Sequence, residues 1–105
     1  MSKPMKDMIT RAISIAQTEV ADGRRVMVLF PNAAWQSAAL PQSKIRMNIF
    51  WLRASTNMRN LKSIAIDTLI LVNRDHPDWV KEGERLARCR LQGSLNLRVI
   101  VVIDE

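Results

Sequence analysis

Over the first twenty positions apolar residues recur at steps of three and four: Met5, Met8, Ile9, Ala12, Ile13, Ala16 and Val20. That spacing draws one apolar stripe along a helix, with Ser2 and Pro4 suited to its start and Gly23 to its end. The period then changes. Arg24 to Phe30 is a Val/Leu/Met-rich run bounded by Gly23 and Pro31, which predicts a buried strand because a strand covered on both faces has no reason to alternate. Asn32 can cap a short helix running to Leu40, and Pro41 stops it.

From Lys44 to Arg53 two periods overlap. Ile45, Met47, Ile49 and Trp51 alternate as in a strand, whereas Ile45, Ile49 and Leu52 fit a helix; the strand is the reading adopted. Asn57 to Lys62 predicts a short helix. Ile64 to Val72, broken by Asp67 and Thr68, predicts a central strand. Pro77 and Asp78 open a helix carrying Trp79, Val80, Leu86, Ala87 and Leu91 and closed by Gly93, and Leu95 to Ile103 predicts the last strand. Strands separated by helices imply right-handed crossovers and parallel pairing. The expected fold is therefore α/β: a small three-layer sandwich in which a mostly parallel sheet of three to four strands is flanked by helices. No repeat, low-complexity tract or linker divides the chain, so residues 1–105 read as a single α/β domain.

Composition adjusts this picture only slightly. The chain has 105 residues, 48% hydrophobic and 25% charged, which is ordinary for a globular domain whose core is modest and gains from a partner or from homo-oligomerisation. No apolar run reaches the roughly eighteen residues of a membrane helix, so no membrane partner is expected. Asp7, Gln17 and Glu19 interrupt any signal-like core behind Lys3 and Lys6. Cys89 is the sole cysteine, which excludes an internal disulfide. The expected location is a reducing cytoplasm, cellular or of an infected cell.

Charge changes the picture more. Of sixteen basic residues, seven (Arg24, Arg25, Lys44, Arg46, Arg53, Arg59 and Lys62) fall between Gly23 and Ile66, a stretch with no Asp or Glu. Outside it nine basic residues face ten acidic ones. The stretch also holds Phe30, Trp35, Phe50 and Trp51, four of the five aromatics. Cations that neutralise phosphates, together with Trp35 or Trp51 stacking on bases, are what an anionic, ring-bearing partner requires. The competing reading makes both tryptophans core residues and the cations a solvated face.

Parallel sheets bind ligands at the carboxyl ends of their strands, which singles out Pro31-Asn32-Ala33, Asn73-Arg74-Asp75-His76 and Asp104-Glu105. A nucleotide enzyme needs a glycine-rich turn to bring backbone N–H groups against phosphate, yet Gly23, Gly83 and Gly93 are isolated and none follows a strand into a helix. Asp75, His76 and Asp78 combine acids with an imidazole but lack a nucleophile. One Cys and one His thirteen positions apart do not make a zinc site. Cys89, between Arg88 and Arg90, has cations that favour thiolate but no evident base. No cofactor, metal or catalytic set is expected.

The order Arg24-Arg25-Val-Met-Val-Leu-Phe-Pro31-Asn32 with its following helix, then Ile66-Asp-Thr-Leu-Ile-Leu-Val-Asn73, then Leu97-Arg-Val-Ile-Val-Val-Ile103, resembles the inner strands of a RecA-like helicase or terminase motor core. No Walker A loop precedes the first strand, and Asn73-Arg74 stands where the second should end in Asp-Glu. The resemblance thus implies a degenerate, non-hydrolysing relative. Two functions are carried forward: a non-enzymatic nucleic-acid-binding accessory protein, or a small, viral-type regulator or inhibitor that binds an acidic or nucleic-acid-binding surface of a larger enzyme.

Overall fold

The computed structural model describes residues 2–42, 49–53, 66–76 and 98–104. In chain order these form α1 (Lys3–Ala21), β1 (Val26–Phe30), α2 (Ala33–Ala39) with a 3-10 turn at Leu40–Gln42, β2 (Ile49–Arg53), β3 (Thr68–Val72) and β4 (Arg98–Val102). The helices expected over 57–62 and between Pro77 and Gly93 lie outside the described residues, as do Lys44, Arg46, Arg59, Lys62 and Cys89.

Both ends of α1 are closed by the residues that the pattern pointed to. The Ser2 hydroxyl accepts the Met5 N–H at 3.3 Å, and Pro4 lies in the first turn, where it costs no intrahelical hydrogen bond. At the other end the Gly23 N–H donates to the Val20 carbonyl at 2.9 Å and the Arg24 N–H to the Glu19 carbonyl at 3.0 Å. This is the paired C-terminal closure of a Schellman motif, and it requires the left-handed backbone that Gly23 adopts at φ +83°. The turn delivers the chain directly into β1. Asn32 caps α2 through its side chain, which accepts the Trp35 N–H at 3.2 Å.

The four strands form one parallel sheet in the order β2-β1-β3-β4. β1 and β3 are central and every residue in them is buried, which is why both read as unbroken apolar runs. Val26, Val28 and Phe30 of β1, with Ile70 and Val72 of β3 and Val102 of β4, pack against Met8, Ile9, Ala12, Ile13 and Ala16 of α1 and against Trp35 and Ala39 of α2. Met27, Leu29, Leu69 and Leu71, on the opposite face, are equally shielded from solvent. The sheet is thus an interior layer of an α/β fold, as the sequence pattern implied.

One boundary differs in detail, and the starts of β2 and β4 adjoin residues outside those described. β3 begins at Thr68 rather than Ile64, because Asp67 turns aside to Arg25: both the Asp67 and Thr68 N–H groups donate to the Arg25 carbonyl. β2 is extended over Ile49–Arg53, in agreement with the alternating reading, while the preceding 44–48 are outside the described residues. β4 is described from Arg98 onward.

Candidate functional site

Among the described residues, those singled out for binding do not gather at one place. Arg24 and Arg25 lie just before β1, at the amino-terminal edge of the sheet. Arg53 closes β2 at the carboxyl edge, paired in register with Phe30. At about 3.3 Å per residue, five steps of strand put Arg25 and Arg53 roughly 16 Å apart along the strand direction. Trp51 lies within β2, opposite Val28. Trp35 is 7% exposed and belongs to the core, so it presents no open face on which a base could stack. Here the structure agrees with the competing reading of a core tryptophan.

Arg24 and Arg25 are both committed to acids that lie outside the acid-free stretch. Arg24 Nη1 meets Glu19 Oε2 at 2.5 Å and Asp22 Oδ2 at 3.3 Å, and Arg98 Nη1 meets Glu19 Oε1 at 3.2 Å. Glu19 is a buried carboxylate on the core-facing side of α1, and its two guanidinium partners satisfy both of its oxygens. It joins the end of α1 to the starts of β1 and β4. The hydrogen bond and charge of Glu19 raise the Arg24 guanidinium above its ordinary pKa. An open cleft of about 410 Å³ lies over this group, bordered by Ser14, Thr18, Arg24, Arg98 and Ile100.

Arg25 and Asp67 form a second, tighter clasp. Asp67 Oδ2 accepts the Arg25 backbone N–H at 2.9 Å and its Nε–H at 3.0 Å, while Oδ1 accepts from Nη2 at 3.0 Å. This two-pronged pairing, reinforced by the backbone donor, holds the Asp67 carboxyl down at about 2 against an ordinary 3.8. Arg25 is raised by the same contact. Sequence reading missed the partners of both arginines. The signal for Glu19 was an acid in line with the apolar stripe, seven positions after Ala12 and three after Ala16; for Asp67 it was an acid immediately before an apolar run.

At the carboxyl edge the strand order changes direction between β1 and β3, where open α/β sheets place their ligands. Asn32, after β1, spends its side-chain oxygen on capping α2. Asn73, after β3, takes a left-handed conformation at φ +53°, which asparagine tolerates, and its N–H donates to the Val102 carbonyl at 2.7 Å. The His76 N–H donates to the Asn73 carbonyl at 3.0 Å. That turn brings the His76 ring edge-on to Trp35, with centroids 6.1 Å apart and planes at 80°. Trp35 and His76 therefore pack across the crevice between the two central strands. Asp75 stands exposed beside them.

Among the described residues no three His, Cys, Asp or Glu side chains cluster as a metal site, and no helix is long and apolar enough to cross a membrane. Comparison with known proteins gives no match to a family model, a curated protein or a solved structure.

Proposed function

We propose that this chain is a non-enzymatic nucleic-acid-binding accessory protein whose contact surface is the β2 edge of the sheet and the cationic chain on either side of it. The observation that carries this reading is where the cations of the acid-free stretch fall relative to the strands and to the ion pairs of the described residues. Arg24 and Arg25 are held by Glu19, Asp22 and Asp67. The other five cations of the acid-free stretch, Lys44, Arg46, Arg53, Arg59 and Lys62, all fall in β2 or within nine residues of it in sequence. β2 is an edge of the described sheet, and it contains Phe50 and Trp51. A cationic edge carrying aromatics is the combination that single-stranded nucleic acid binds, through phosphate neutralisation and base stacking. The three segments that resemble a RecA-like core are β1, β3 and β4, which are adjacent and parallel; on this reading the chain keeps such a scaffold without hydrolysing nucleotide.

The test is fluorescence anisotropy with a labelled single-stranded oligonucleotide. Five phosphate contacts give a logarithmic salt slope of about 3.5, so affinity should fall about a hundredfold between about 50 and 200 mM salt. Arg46→Glu, Arg53→Glu and Arg59→Glu together should abolish binding, whereas reversing Lys81, Arg85 and Arg88 should cost much less. Equal losses from the two triple variants, both folded, would sink the proposal. Absence of oligonucleotide binding, together with one nuclease-resistant protein recovered on the tagged chain from its native host, would favour the regulator or inhibitor instead.

A further inference from the structure

β4 is the other edge of the described sheet, and its composition is unlike a protected edge. Residues 99–103 read Val-Ile-Val-Val-Ile, with none of the lysines or prolines by which monomeric proteins blunt exposed edges. Val101 is 39% and Ile103 41% exposed.

The direction of each backbone group follows from the pairing with β3. The Arg98 N–H donates to Asp67, and the Val102 carbonyl accepts from Asn73. In a parallel ladder alternate residues face one neighbour, so 98, 100 and 102 are spent on β3 while 99, 101 and 103 turn their N–H and carbonyl groups outward. Ile100 and Val102 pack toward α1, which puts Val99, Val101 and Ile103 on the other face of the strand. The outer edge therefore offers a hydrogen-bonding ladder and an apolar row together.

We propose that β4 pairs antiparallel with β4 of a second copy of the chain, about a two-fold axis through Val101, so that two sheets join into one. The occupant is argued from register and charge. Hydrogen-bonded pairing requires outward-facing residues opposite one another. The register that pairs all three of them sets Val101 against Val101 of the second copy and Val99 against Ile103. That same register brings Arg98 opposite Asp104, at both ends of the interface. Arg98 meets Glu19 on the α1 side of the strand, and the alternation of an extended chain carried past Val102 sets Asp104 on that same side. Asp104 is exposed and makes no ion pair among the described residues. The Arg98 side chain is 59% exposed and spends Nη1 on Glu19, leaving other donors for a carboxylate. A strand with a cation at its start and an anion at its end is self-complementary when antiparallel, which is the condition a two-fold interface imposes. The Ile103 carbonyl already accepts from Arg11 Nη2 at 2.7 Å, and its second lone pair is the one the ladder would use.

Sedimentation equilibrium of the purified chain from about 1 to 200 µM should give a mass near 24 kDa, twice the 12.0 kDa of one chain, at the upper concentrations. Val101→Lys, at an exposed position and checked for folding by circular dichroism, should return it to one chain. In a Cys89→Ser background, Val101→Cys should form an intermolecular disulfide readily on mild oxidation with diamide. Ile103→Cys should not, because that register separates the two 103 positions by about 13 Å. A wild-type monomer throughout this range, a dimer that survives Val101→Lys, or cross-linking at 103 as efficient as at 101 would each overturn the proposal.

Discussion

Asp67→Asn removes one charge from the clasp that fastens β3 to the start of β1 while keeping size and one acceptor oxygen. The native carboxyl is depressed from 3.8 to about 2, first by the Arg25 side-chain hydrogen bonds and then by the Arg25 backbone N–H. At 1.36 kcal/mol per pKa unit the full linkage would be about 2.5 kcal/mol. Asp67 keeps 30% of its side-chain exposure and Arg25 keeps 53%, so water screens the pair and about 1 kcal/mol is the expected loss at pH 7. For a domain of this size that lowers Tm by about 4 °C. The folded pKa lies below the unfolded one. The contribution is thus present above about pH 4 and disappears as pH falls toward about 2. Urea unfolding of the two proteins from pH 7 to pH 2.5 should show stability curves that converge in acid. A loss at pH 2.5 as large as that at pH 7, or none at pH 7, would refute the assignment of this stability to the ionised clasp.

Thr68→Val should raise stability by about 1 kcal/mol in urea unfolding, because the Thr68 hydroxyl is buried without a hydrogen-bond partner and valine has the same shape; a loss would mean the hydroxyl is satisfied in solution. Glu19→Gln should destabilise by about 1 kcal/mol at pH 7, since it weakens the junction of α1, β1 and β4, and an unchanged urea midpoint would count against that junction. Gly23→Ala should cost about 1 kcal/mol through the left-handed backbone alone, for a Cβ there meets nothing within 4 Å; Gly23→Asn should recover part of the loss.

The elements were legible where one physical cause governed them. The stripe from Met5 to Val20, the cap at Ser2 and the glycine exit at Gly23 act within a single helix, so local sequence contains the whole cause, and α1 forms over Lys3–Ala21. β1 and β3 declared themselves because central parallel strands are covered on both faces and cannot alternate. The start of β3 was not legible, since Ile64 and Ile66 look as strand-like as Ile70. What ends the pairing at Thr68 is a carboxylate reaching a residue 42 positions earlier. Sheet order is likewise a property of crossovers, and no residue pattern states that β1 lies between β2 and β3.

The candidate site was less legible for a related reason: charge was counted along the chain, and ion pairs form across it. The acid-free stretch begins with two arginines, but the chain turns at Gly23 and places Arg24 back against Glu19. The parallel pairing of β1 with β3 likewise sets Arg25 beside Asp67. Both acids lie outside the stretch, so its apparent excess at that end is neutralised by folding. An arginine fixed in this way costs more to recruit to a phosphate, because its carboxylate must first be released. The same argument makes the cations around β2 the informative ones. No Asp or Glu occurs within thirteen positions on either side of β2, so any acid that neutralises them must come from elsewhere in the fold. Trp35 fails as a stacking residue on similar grounds: helical spacing from the Asn32 cap turns it inward onto β1, where burial and the edge contact with His76 already use its surface. A binding face on this protein is therefore to be sought around β2, where the acid-free stretch keeps five cations, and not at Arg24 and Arg25, which carboxylates already hold.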